Sequence, residues 1–331
     1  LEIVGAGMMS MSGPRNTIAR ITGAWVNFWF AEISPYPIAL FRLLFGIYLL
    51  VYFLGSCTNV PLFYSNDGVY CPLFIPDIAP APWIACIIYI ITVVLLLAFT
   101  VGYRMKVVAP LAFAFYLYHF CLNIGARACS YDRLVFMAFA LLCLAPSDQV
   151  LSFTKKTKQS DPTPTTSAWA TRLLAIHISL FYFSTGLYKE LSPGWHSGEI
   201  IKGVMSSIFS SDLAFAVMRL KLPSAVFDFL ALSVIVFELT CPIGFAVRDL
   251  SFTTAFSRKR LHLKGVQYYF FVCGMLLHCG IWMFMQIPQF FICPVFYVLF
   301  IRARDIRRFL NWVTQWQRTH IGQSFQRDYM R

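Results

Sequence analysis

Residues 181–199, FYFSTGLYKELSPGWHSGE, combine an apolar run with residue types that can do chemistry. Lys189 closes the aromatic and small-residue run, and Gly194, Trp195 and Gly198 follow within a few positions. An amine is a base or nucleophile only when neutral, a form that the apolar mouth of a helix bundle favours by withholding water. The same side chain can instead snorkel, its stem in the apolar layer and its ammonium in water. Trp195 would then be an aromatic-belt residue, with Gly194 and Gly198 merely shaping a loop. Residue type leaves both readings open.

Other ionisable groups sit inside apolar segments, where each is a functional hypothesis because burying it is costly. Arg42 in FRLLFGIYLL and Glu238 in VFELTCP fall at comparable depths, which allows an ion pair between their helices, read as structural ahead of a catalytic or proton-relay role. His119, Asp228 and His278 fall toward the same end as Lys189, so four ionisable side chains from four helices read as the lining of a pocket. Two histidines and an aspartate can ligate a metal. No HxxxH or ExxH spacing supports that here, and no metal is expected. Cys57 and Cys71 share one loop, where an oxidising compartment permits a disulfide. Cys86, Cys143, Cys241, Cys273 and Cys293 lie in apolar runs and read as packing residues.

The elements that must position these groups are membrane helices. Of 331 residues, 58% are hydrophobic, 17% aromatic and only 13% charged, about half the charge of an ordinary soluble domain. Segments near the ~20 residues that span a bilayer fall at 37–55, 83–101, 107–124, 133–145, 172–188, 224–247, 266–285 and 288–301, the fourth and eighth being short. The expected fold is an all-α integral membrane protein, a single bundle of about eight transmembrane helices. No solenoid repeat or soluble domain interrupts it. Residues 1–36 form a segment before the bundle, 37–301 the bundle, and 302–331 a basic tail.

Loop charge then supports one orientation. With both termini cytoplasmic, most lysines and arginines fall on the cytoplasmic side, including those at 155–158, 258–264 and 302–308. Arg127, Arg133, Lys189, Lys202, Arg219 and Lys221 fall on the other. Topology therefore accounts for the net charge of +12 without nucleic acid. No cleavable signal peptide is evident, so insertion is expected to rely on the first membrane helix. The opening ten residues are set aside from fold reasoning.

The 181–199 stretch resembles the signature segment of the HTTM (horizontally transferred transmembrane) domain family, in which an aromatic helix ends in a small-residue step, a Lys, a short spacer, then Trp and Gly. FRLLFGIYLL, FYSNDGVY, FELTCP and LLHCGIWMFMQIPQF follow the family's order over residues 37–301. The vitamin K-dependent gamma-glutamyl carboxylase belongs to that family. The resemblance implies a membrane lyase that binds reduced vitamin K or another quinol, with Lys189 as the base that deprotonates it on the non-cytoplasmic face. In the carboxylase, oxygen then attacks and the resulting alkoxide removes a proton from a glutamate, which takes up carbon dioxide.

Two departures qualify the comparison. The carboxylase continues into a large lumenal domain, whereas here a basic tail follows the last apolar segment, so propeptide-guided carboxylation is not expected. Its Asn-His pair is replaced by ACSYDRLVF, with Asp132 or Tyr131 as the available substitutes. The other functions implied are maturation of a secreted peptide, as for a family member required for a bacterial toxin peptide, and a non-catalytic membrane scaffold. The partners expected are the lipid bilayer and a secreted peptide or protein, in the cell inner membrane or the endoplasmic reticulum.

Overall fold

A computed structural model describes residues 14–69, 71–73, 79–124, 131–154, 164–250 and 266–329. The opening residues, the 155–163 linker and the basic turn at 258–264 lie outside it. The chain is mostly helical. A first helix, α1 (Pro14–Phe30), precedes the bundle helices α2 (Tyr36–Leu54), α4 (Pro82–Thr100), α5 (Met105–Leu122), α6 (Asp132–Leu144), α7 (Trp169–Glu190), α11 (Ser224–Leu250) and α12 (Val266–Phe284). Short helices α3 (Val60–Tyr64), α8 (Pro193–His196), α9 (Glu199–Met205) and α10 (Asp212–Arg219) fold the loops, and α13 (Ile292–Tyr297) and α14 (Ala303–Tyr329) close the chain. Two-residue strands, β1 (Glu32–Ile33) and β2 (Thr166–Ser167), pair antiparallel.

Among the described residues four helices are long and apolar enough to cross a membrane: α2, α4, α5 and the Ser224–Gly244 part of α11. Helix α12 is apolar over Tyr268–Phe284, slightly shorter. Helix α7 has 22 residues, but polar and ionisable side chains along it lower its hydropathy. The segments expected at 133–145 and 288–301 are helical and short. Helix α6 has 13 residues, about 20 Å of rise against the ~30 Å of a hydrocarbon core. The 288–301 segment is a six-residue helix between two 3-10 turns.

Phenylalanine rings fill the centre of the bundle. Phe41, Phe45, Phe99, Phe139 and Phe296 are fully buried, and their edge-to-face contacts (Phe45–Phe139 at 5.2 Å, Phe41–Phe296 at 4.9 Å) join α2, α6 and α13. A Cβ on Gly46 would lie 2.2 Å from Thr100 Oγ1, so glycine there allows α2 and α4 to touch.

Arg42 has a different role from the ion pair expected of it. Its guanidinium donates to the carbonyl of Ser147 at 2.7 Å and to that of Leu151. Gly102, at φ +73°, passes so close that a Cβ would fall 2.6 Å from the guanidinium. Leu151 itself has φ +52°, a conformation rare for a non-glycine residue, and Arg42 helps hold it there. Arg42 thus ties the 102 turn and the 147–151 loop to α2.

Candidate functional site

One face of α7 carries Ser179, Tyr182, Gly186 and Lys189, a 3-4-3 spacing that aligns them along the helix. This face packs against α11, its closest partner. Gly186 makes the approach possible, since a Cβ there would lie 2.9 Å from Glu238 Cβ and 3.0 Å from the Leu239 nitrogen. One turn above it, Lys189 Nζ donates to both carboxylate oxygens of Glu238, at 2.5 and 2.7 Å. The two side chains are only 16% and 8% exposed. Glu238 is therefore level with Lys189, and the expected pairing with Arg42 gives way to this one. Helix α11 starts well beyond the end of α7, which puts a residue fourteen positions into α11 beside the last turn of α7.

Trp195 closes the site from above, its ring centroid 5.0 Å from Lys189 Nζ in a cation–π contact. Helix α8 holds Trp195, and Gly198 fixes α8 against α11. At φ +63°, a Cβ on Gly198 would fall 2.5 Å from the Phe227 carbonyl carbon and 2.7 Å from the Asp228 nitrogen. Only glycine fits both the conformation and the gap. Helices α8 to α10 form a cap stitched to α12, where Ser211 N–H and Oγ donate to the carbonyls of Phe284 and Met283. Gln286 N–H donates to the carbonyl of Phe209.

Two turns below Lys189 lies a second polar group. Tyr182 Oη is 2.6 Å from His278 Nε2 and 2.5 Å from Tyr297 Oη, and the two tyrosine rings stack at 6.2 Å. All three residues are buried. A Cβ on Gly274 would meet the Tyr297 ring at 2.5 Å, so glycine makes room for it. His278 Nδ1 is buried and has no partner among the described residues. Tyr182 and Tyr297 were not expected from the sequence.

The other expected site residues lie elsewhere. His119, on α5, is fully buried against α4, its Nε2 3.0 Å from Thr92 Oγ1 and its ring edge-on to Tyr64 at 4.7 Å. Asp132 accepts from Tyr116 Oη at 3.3 Å. The Tyr131 ring packs on Phe290 at 4.4 Å. Asp228 Oδ1 is buried beneath Gly198, without a partner among the described residues. The pocket lining expected of four residues thus divides: Lys189 is on the α7 face and His278 reaches that face from α12 at Tyr182, while His119 belongs to an aromatic cluster with Phe53, Tyr64 and Tyr89. Cys57 and Cys71 are exposed and unbridged. Cys57 begins the turn after α2, whereas the Cys71 carbonyl is held by the Ile124 N–H at the end of α5.

The HTTM domain family matches residues 30–302. The chain belongs to this family. No curated protein and no solved structure matches it. In this HTTM chain the matched region takes in every site described above, from Arg42 to Tyr297. It leaves out α1 except its last residue, and all of α14.

Proposed function

We propose that this HTTM protein is an integral membrane enzyme resembling the vitamin K-dependent carboxylase, which binds a quinol or related lipid and uses Lys189 as its base. The observation that carries the reading is the two-point contact of Lys189 with Glu238 under the Trp195 ring. An ammonium must release a proton before it can accept one, and a carboxylate oxygen at 2.5 Å is placed to take it. Glu238 then holds that proton while the neutral amine meets the ligand. Water is kept scarce by Trp195 above and the α7–α11 contact at Gly186 below, which strengthens the exchange between the two groups.

The residues fit a quinol. The amine and carboxylate suit a phenolic proton, and His278 Nδ1 is a buried polar atom without a partner. When bound, the quinol supplies the acidic hydroxyl and the oxidisable ring. The reading includes about eight spans with both termini cytoplasmic and Lys189 on the outer face, in the cell inner membrane or the endoplasmic reticulum. A secreted peptide or protein on that face would be the acceptor.

The test is to supply reduced vitamin K to the purified protein in lipid and measure epoxide, comparing wild type with Lys189→Ala and Glu238→Gln. Epoxide that requires Lys189 and falls in Glu238→Gln is the expected result. No epoxide from folded wild type would remove this chemistry with this quinol and favour peptide maturation or scaffolding.

A further inference from the structure

Helices α1 and α14 both carry exposed apolar stripes. In α1, Ile18, Ile21 and Trp25 recur at i, i+3 and i+7. In α14, Phe309, Trp312 and Trp316 repeat the same spacing. Each of the six is half or more exposed. Such spacing places three side chains on one side of a helix. A solvent-facing helix would carry polar groups there.

Both helices are fixed at one end of the bundle. The Ala168 N–H donates to the Ala31 carbonyl, and β1 pairs with β2, so the chain between α1 and α2 is tied to the start of α7. Arg172 in that first turn lies over the Phe28 ring at 4.6 Å. Helix α14 is seated by buried Ile306 and by Asp305, which accepts from Tyr268 Oη. Its Arg307 lies over the ring of Tyr36, the first residue of α2. Since α2 is long and apolar enough to cross a membrane, this end of it is where a bilayer surface falls. Lys189 lies at the far end of α7, about 25 Å of helix away.

Charge names the surface. Arg304, Arg307 and Arg308 are exposed along α14. Of the described part of that helix only Asp305 opposes them, within 3.5 Å of Arg304 and 3.9 Å of Arg308. A helix with an aromatic stripe and flanking arginines suits the boundary between acyl chains and anionic headgroups.

We propose that α1 and α14 lie on the surface of an anionic bilayer, with their apolar stripes in the headgroup boundary and the α14 arginines among lipid phosphates. The inference does not depend on the chemistry at Lys189.

Full-length protein in nanodiscs of phosphatidylcholine, alone or mixed with phosphatidylglycerol, tests it by hydrogen exchange. Amides at 18–30 and 303–317 should exchange on the order of tenfold more slowly in the anionic discs, as several arginines near a charged surface would produce. Trp312→Ser/Trp316→Ser should lose the protection in α14 and keep it in α1. Arg304→Gln/Arg308→Gln should remove the difference between the two lipids in α14. Equal exchange in neutral and anionic discs would overturn the proposal, as would protection that grows with the number of protein copies per disc, the mark of a second copy covering the stripes. The wild-type comparison stands even if a variant fails to fold.

Discussion

Lys189 and Glu238, 49 residues apart in sequence, share a two-point hydrogen bond at 2.5 and 2.7 Å across the α7–α11 contact. Removing one partner leaves the other charge partly buried and unpaired. Lys189→Met or Glu238→Leu should each destabilise the protein by about 2–4 kcal/mol, somewhat below the range for fully buried pairs because Lys189 is partly exposed. Lys189→Met/Glu238→Leu should recover most of that loss. Denaturant unfolding of the four proteins in lipid forms the double-mutant cycle, and purely additive losses would show that the pair is not coupled.

Gly198→Ala should detach the cap. The substitution forces a Cβ against the α11 backbone at a positive φ, at a cost of about 1–3 kcal/mol. Helix α8 would move and Trp195 would leave Lys189. Loss of the tryptophan contact should appear as a shift in intrinsic fluorescence that Trp195→Phe abolishes.

Tyr182 bonds both His278 and Tyr297, so Tyr182→Phe should cost about 1–3 kcal/mol through the groups it leaves unpaired. Tyr297→Phe should cost less, because His278 keeps its bond to Tyr182. Thermal inactivation of the two variants in lipid gives the ranking, and the reverse order would contradict the network.

Arg42→Lys should be nearly as harmful as Arg42→Met. A single ammonium cannot reproduce the fork that serves Ser147 and Leu151, and a buried carbonyl left without a donor costs about 1–3 kcal/mol. Equal stability of wild type and Arg42→Lys would show that the fork contributes nothing.

Much of this arrangement was legible in the sequence. The runs in α2, α4, α5 and α11 declared themselves because hydropathy depends only on local composition. The Lys–Trp–Gly cluster was legible because its parts are neighbours in the chain, and Lys189 and Trp195 do meet. The partner of Lys189 was not legible. Pairing Glu238 with Arg42 assumed that each helix begins at a common plane, whereas α11 rises beyond α7 and brings Glu238 level with the lysine. Hydropathy reports which segments enter a bilayer and carries no information on register or rotation. Tyr182 and Tyr297 were hidden among 33 phenylalanines and 16 tyrosines, where one more aromatic residue gives no signal.

The Arg42 fork also has a consequence for biogenesis. Its second carbonyl, at Leu151, lies 109 residues downstream. At roughly 5–20 residues per second, a ribosome needs on the order of 5–20 s to add that length. Throughout that interval a guanidinium belonging to the first membrane segment has no lasting acceptor, and it must wait at the headgroup layer or be shielded by the insertion machinery. Final seating of α2 therefore follows the emergence of the loop after α6, which makes this arginine a timer for assembly of the first half of the bundle.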